Sequence, residues 1–207
     1  HRLTGPDGVQ ALVAQLDGFE LPAQAWERAV LPARLDRFER SALDMLCLTG
    51  QVGWARLSSV PQDAPSPPGL RVALFLQEHA ELWQSLRPLD LDERESVERA
   101  LTPEARDVLA ALRTKGASFL RDLARACGPA VSDRRALLSA LARLVSSGLV
   151  TADGFAGVRA MLRARNPNAR RLDRQDELAG RWSVLGPLAA PSAAAREAAF
   201  KVSHFHS

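Results

Sequence analysis

Residues 132–155 read SDRRALLSALARLVSSGLVTADGF, and the order of features in this stretch decides the fold. Leu137, Leu138, Leu141, Leu144 and Val145 recur at i, i+1, i+4, i+7 and i+8, the buried stripe of one α-helix of about four turns. Gly148 stops that helix, Leu149–Thr151 follows as a short apolar strand, and Asp153-Gly154 makes a turn. The opposite helix face carries Arg135, Ala136, Ser139, Arg143 and Ser146. These side chains are short or cationic, so a phosphate backbone or groove wall can approach closely. Two shorter helices precede the stretch, and helix, helix, helix, strand, turn is the plan of a winged-helix module.

Working upstream, the module opens at Leu101. Thr102 is placed to cap a helix, Pro103 suits its first position, and Glu104 suits its positive end. Val108, Leu109 and Leu112 form that helix's stripe. Ser118 is expected to cap the next helix, with Phe119, Leu120, Leu123 and Cys127 turned inward and Gly128-Pro129 ending it. Downstream of Leu149 no return strand lies nearby. Residues 155–162 look helical, and the next strand-like segment is Arg181–Leu185. Residues 155–180 therefore read as one long insertion in the wing. They form a basic arm with Arg159, Arg163, Arg165, Arg170, Arg171 and Arg174 against Asp173, Asp176 and Glu177.

The first half repeats the plan. Helices are expected over 6–18, 23–30 (with Pro32 forcing a break) and 38–48, then a strand over 51–57. A loop over 58–69 holds four prolines, and a return strand covers 70–76. LCLTGQVGWARL at 46–57 and LVSSGLVTADGF at 144–155 share an apolar helix end, a glycine and a strand. The fold expected is mostly α with short β-ribbons, as two tandem winged-helix modules. Residues 1–86 form the first, 87–100 an acidic hinge or short helix, 101–190 the second, and 191–207 a tail or the start of another segment.

At 207 residues the chain is long enough for two real cores. No apolar run approaches the roughly 20 residues that cross a bilayer, and HRLTGPDG is neither a signal pattern nor an initiator start, so an excised piece of a cytoplasmic protein is expected. Cys47 and Cys127 sit at apolar helix positions and read as free thiols, a disulfide between modules being the alternative. The four histidines make no ligand spacing with them. Residues 1–100 hold 10 basic and 15 acidic side chains, whereas 101–207 hold 17 and 9, so the half with the clear recognition-like helix is the basic one.

Neither GxxxxGK[ST], GxSxG nor HExxH occurs, which argues against catalysis within the chain. Nucleic-acid binding has better support. Arg135, Ser139 and Arg143 on the helix, Arg121 and Arg125 on the helix before it, and Arg159, Arg163, Arg165, Arg170 and Arg171 of the arm are candidates to contact phosphates. No Asn or Gln lies on the outer helix face, so base-specific readout is not expected. Trp26, Trp54, Trp83 and Trp182 read as core, and Arg134 projects toward the core side.

GFELPAQAWERAVLPARL (18–35), LCLTGQVGWARL (46–57), GASFLRDL (116–123), GLVTADGFAGVRAML (148–162) and AGRWSVL (179–185) together resemble the C-terminal region of the large helicase-related (Lhr) family of bacterial DNA helicases. The resemblance implies a slice of a winged-helix extension behind an ATP-driven motor that the chain lacks. It further implies a DNA-repair role, 3′-to-5′ translocation and, as partners, single-stranded or 3′-tailed DNA and the helicase core of the same polypeptide. ATP and Mg would belong to that core, and no cofactor to this segment. Uracil-glycosylase activity is associated with the extension in some members, but the Gln-x-Gln motif of related glycosylases is absent. Asp153 is the one carboxylate here to test for that chemistry. An assembly or homo-oligomerisation module remains the alternative.

Overall fold

The computed structural model describes residues 4–58, 69–85, 91–131, 133–165 and 180–185. The first half runs α1 (Gly5–Gln15), β1 (Glu20–Pro22), α2 (Ala23–Ala25), a π-helical turn (Trp26–Val30), α3 (Leu31–Arg34), α4 (Arg40–Leu48), β2 (Val52–Ala55) and β3 (Arg71–Leu76). A 3-10 turn and α5 (Ala80–Ser85) lead to α6 (Leu91–Arg99). The second half runs α7 (Pro103–Lys115), β4 (Ser118–Phe119), α8 (Leu120–Cys127), α9 (Arg134–Ser146), β5 (Val150–Ala152), α10 (Ala156–Ala164) and β6 (Arg181–Val184).

The described residues form two antiparallel three-stranded sheets of one topology, β1-β3-β2 and β4-β6-β5. The two-stranded ribbons expected from the sequence thus each gain an edge strand lying between the first two helices of their half. The strand anticipated across the long insertion at Arg181–Leu185 forms over Arg181–Val184 and returns to the centre of its sheet. The helix before each wing closes identically. The Gln51 N–H donates to Leu46 C=O and the Leu149 N–H to Leu144 C=O, both at 2.9 Å, across Gly50 (φ 71°) and Gly148 (φ 68°). That closure needs the left-handed region, which glycine reaches without a Cβ penalty.

Local chemistry explains most boundaries. Thr102 accepts the Ala105 N–H and Asp133 the Arg135 N–H, capping α7 and α9. Ser118 does not cap α8: it lies in β4, its hydroxyl donates to Gly116 C=O, and Phe119 takes the capping position with its ring exposed. Pro32 does not break its helix either. The Leu31 N–H reaches back to Trp26 C=O, and this wide π turn relieves the contact a proline ring would otherwise make one turn earlier.

Residues 91–99 are helix rather than hinge, held against the second half. Arg94 donates to Leu185 C=O at 3.0 Å, and Glu98 takes a fork from Arg113 at 2.9 and 2.5 Å. The Arg113 fork, helped by Arg94, keeps the Glu98 carboxyl below its ordinary value. In the first sheet Glu20 accepts the Leu57 and Ser58 N–H groups, and the Arg71 guanidinium lies 3.5 Å away. Burial opposes the Glu20 charge, but the Ser58 and Leu57 bonds and nearby Arg56 outweigh it and lower its pKa.

One hydrophobic core runs through both halves. Trp54 of β2 meets Phe155 and Trp182 edge to face, at centroid distances of 6.4 and 6.2 Å, and Thr151 donates its hydroxyl to Trp54 C=O. Both cysteines are free; burial, with Asp44 beside it, pushes the Cys47 thiol up to about 12. Gly180 opens the last strand at φ 79°, where an added Cβ would collide with Asp153 Oδ1 and the Gly154 nitrogen. Gly180→Ala is expected to cost about 2 kcal/mol. Urea denaturation checks this, and an unchanged midpoint would mean the turn re-forms without a left-handed residue.

Candidate nucleic-acid interface

Helix α9 divides its residues sharply. Leu137, Leu138, Leu141, Leu144 and Val145 are buried as their spacing requires, and Ala140 and Ala142 are buried beside them. Arg135, Ser139 and Arg143 stay exposed at i, i+4 and i+8, a straight line along the outer face. Arg143 lies in the last turn, where a cation complements the helix dipole. The Arg134 side chain is half-buried.

On α8, Arg121 and Arg125 are exposed and share one carboxylate, Asp122, at 3.8 and 3.6 Å. Exposed pairs of this kind are worth under about 1 kcal/mol and exchange readily for another anion.

The arm divides differently from the expectation. Its first part is α10, lodged in the core through Val158, Ala160 and Met161. Arg159 is corrected from a phosphate ligand to an internal tie. Its guanidinium takes Glu27 at 2.9 Å and Asp44 at 2.8 and 3.0 Å, and its side chain is 14% exposed. Hydrogen bonds to both carboxylates raise its pKa against the opposing effect of burial. These partners lie 132 and 115 residues away in sequence, so no local pattern announced them. Arg163 is half-buried and Arg165 exposed, whereas Arg170 and Arg171 lie outside the described residues.

Asp153, the candidate carboxylate for base-excision chemistry, accepts the Arg181 backbone N–H and pairs with the Arg181 guanidinium at 3.0 Å. It closes the strand rather than standing ready for a water or sugar.

Aligning the two helices on Gly50 and Gly148 puts Met45 where α9 has Arg143, and Met45 and Leu48 are exposed. The basic line is therefore not repeated on α4.

Sequence reasoning missed two features of the surface, the outward Phe119 and the two short edge strands. The period-2 signal of a two-residue strand is too brief to read.

Three helices, a three-stranded sheet and an exposed basic face on the third helix define a winged-helix protein. The large helicase-related protein winged-helix domain matches residues 1–77. The chain is 35% identical to the Lhr helicase/uracil glycosylase of Escherichia coli (strain K12) over 87% of its length. It is 30% identical to the Lhr helicase/probable uracil glycosylase of Mycolicibacterium smegmatis over 93%. The chain belongs to the winged-helix region of the large helicase-related family. It spans 13% of the length of each of these relatives. Among the described residues no helix is long and apolar enough to cross a membrane.

Proposed function

We propose that this chain is an auxiliary DNA-binding segment of an ATP-driven 3′-to-5′ helicase acting in DNA repair in the cytoplasm. In this reading two winged-helix units, residues 1–86 and 101–190, are joined through 87–100, and the motor with its ATP and Mg lies elsewhere in the same polypeptide. The relatives' names, helicase joined to uracil glycosylase, support the setting. The observation that carries the binding role is the line Arg135, Ser139, Arg143 on a helix whose other side is wholly core. Such a line suits the phosphates of one strand and, without Asn or Gln, discriminates little between sequences. Arg121, Arg125 and Arg165 add cations to the same half.

The charge reversal Arg135→Glu with Arg143→Glu tests this by fluorescence polarisation on duplex DNA. Affinity is expected to fall at least about tenfold, and the slope of log K against log salt to flatten by about 2. Unchanged affinity would remove this face from the site. A second reading, assembly through the first unit, draws on the exposed Met45 and Leu48 of α4. Light scattering at high concentration separates the two, since a strict monomer argues against self-assembly.

A further inference from the structure

The β4 edge of the second sheet presents a different surface from α9. In its register Ser118 faces Trp182 and Phe119 faces Arg181. Ser118 and Trp182 are buried, so the alternation of a strand sends Phe119 and Arg181 to the outer face together. Directly opposed residues hold their Cβ atoms about 5 Å apart. The Phe119 residue is 41% exposed, and the Arg121 guanidinium lies 5.7 Å from its ring centroid. The side chains of Arg121 and Arg181 are 77% and 57% exposed. Their carboxylate partners, Asp122 at 3.8 Å and Asp153 at 3.0 Å, form surface pairs that yield to a phosphate at little loss.

From this geometry we infer that Phe119, with Arg121 over its ring and Arg181 opposite it in the strand register, is a stacking platform for an unpaired base of single-stranded DNA. The inference rests on the DNA-binding reading and adds to it a second contact site, on the sheet. An exposed aromatic ring supplies a face on which any base can lie, and the guanidinium over the ring and the one on the neighbouring strand can turn to the phosphates that the base carries with it. In a duplex both faces of a base are already covered by its neighbours, so only a single strand offers the partner this ring fits. The third strand of the sheet is not available in the same way: the Thr151 hydroxyl of β5 is turned onto Trp54 of the first half, so the open part of the face is the β4–β6 end.

The test is polarisation of the 207-residue chain with three fluorescein-labelled probes: oligothymidylate, an abasic oligomer of equal length, and a blunt duplex. The wild-type chain is expected to bind oligothymidylate more tightly than the abasic oligomer. Phe119→Ala should erase that preference, weakening oligothymidylate by about tenfold while leaving the abasic oligomer and the duplex unchanged. Phe119→Trp should keep the preference, which separates stacking from a change in fold. A Phe119→Ala variant that retains the preference, or one that weakens all three probes alike, overturns the platform. A wild-type chain that binds duplex but treats the two single strands equally overturns the platform and leaves the α9 reading standing. A chain that binds none of the probes overturns both.

Discussion

Replacing Arg159 with methionine should lower the stability of the chain by about 3 kcal/mol, read as a shift in the urea midpoint. The guanidinium lies between Glu27, whose side chain is 8% exposed, and Asp44, and it bonds both. Methionine keeps the packed stem but leaves one buried and one half-buried carboxylate facing each other. Arg40, 3.6 Å from Glu27, offsets only part of that charge. The loss therefore comes mainly from stranded negative charge. Arg159→Lys should recover only part of it, since three donors on one nitrogen cannot reproduce the paired bonds that the guanidinium makes to both carboxylates. Adding Glu27→Gln and Asp44→Asn to Arg159→Met should restore most of the stability, because the isolated charges disappear with their partner. A methionine variant as stable as the parent would show that this junction contributes nothing to holding the halves together.

Trp54→Ala carries the other large effect, about 3 to 5 kcal/mol. Its ring is buried in the middle of the shared core, edge-on to Phe155 and Trp182 at interplanar angles of 84° and 86°. Truncation removes the ring contacts and opens a cavity that Trp182 on β6 and Phe155 at the start of α10 cannot both collapse into. Because Trp54 comes from the first half and both rings from the second, the damage should also appear as lost cooperativity. The single unfolding transition expected of the parent should broaden or split. Trp54→Phe should be far milder. The indole N–H has no acceptor among the described residues, so its removal abandons no hydrogen bond there. A loss under about 1 kcal/mol for the alanine variant would mean the aromatic cluster is incidental to the union.

What the sequence made legible was local. Leucine spacing gave α9 and its outward Arg135, Ser139 and Arg143. The paired glycines at 50 and 148 gave the shared helix closure, and the strand-like Arg181–Leu185 segment, read across a long insertion, holds the strand Arg181–Val184. What stayed hidden was set by partners distant along the chain. Strand β1 is three residues whose pairing is with Ala73, Val72 and Arg71, and nothing in Glu20–Pro22 alone signals it. Phe119 read as inward because it sits beside Leu120 and one turn before Leu123, yet its strand register with Arg181 turns it out. Arg159 read as one cation among many in a basic arm. Only the fold brings Glu27 and Asp44 to it, and with them the role changes from surface contact to internal tie.

The similarity to the winged-helix domain ends at residue 77, but the packing does not. Trp54 rests on rings contributed by residues 155 and 182, and Glu27 and Asp44 take their counter-charge from residue 159. That border marks where the match to one domain ends, since the relatives align over 87% and 93% of the chain, and not where a self-sufficient body stops. A piece cut there would bare its own keystone: the Trp54 ring and the Glu27 and Asp44 carboxylates would meet water in place of their partners.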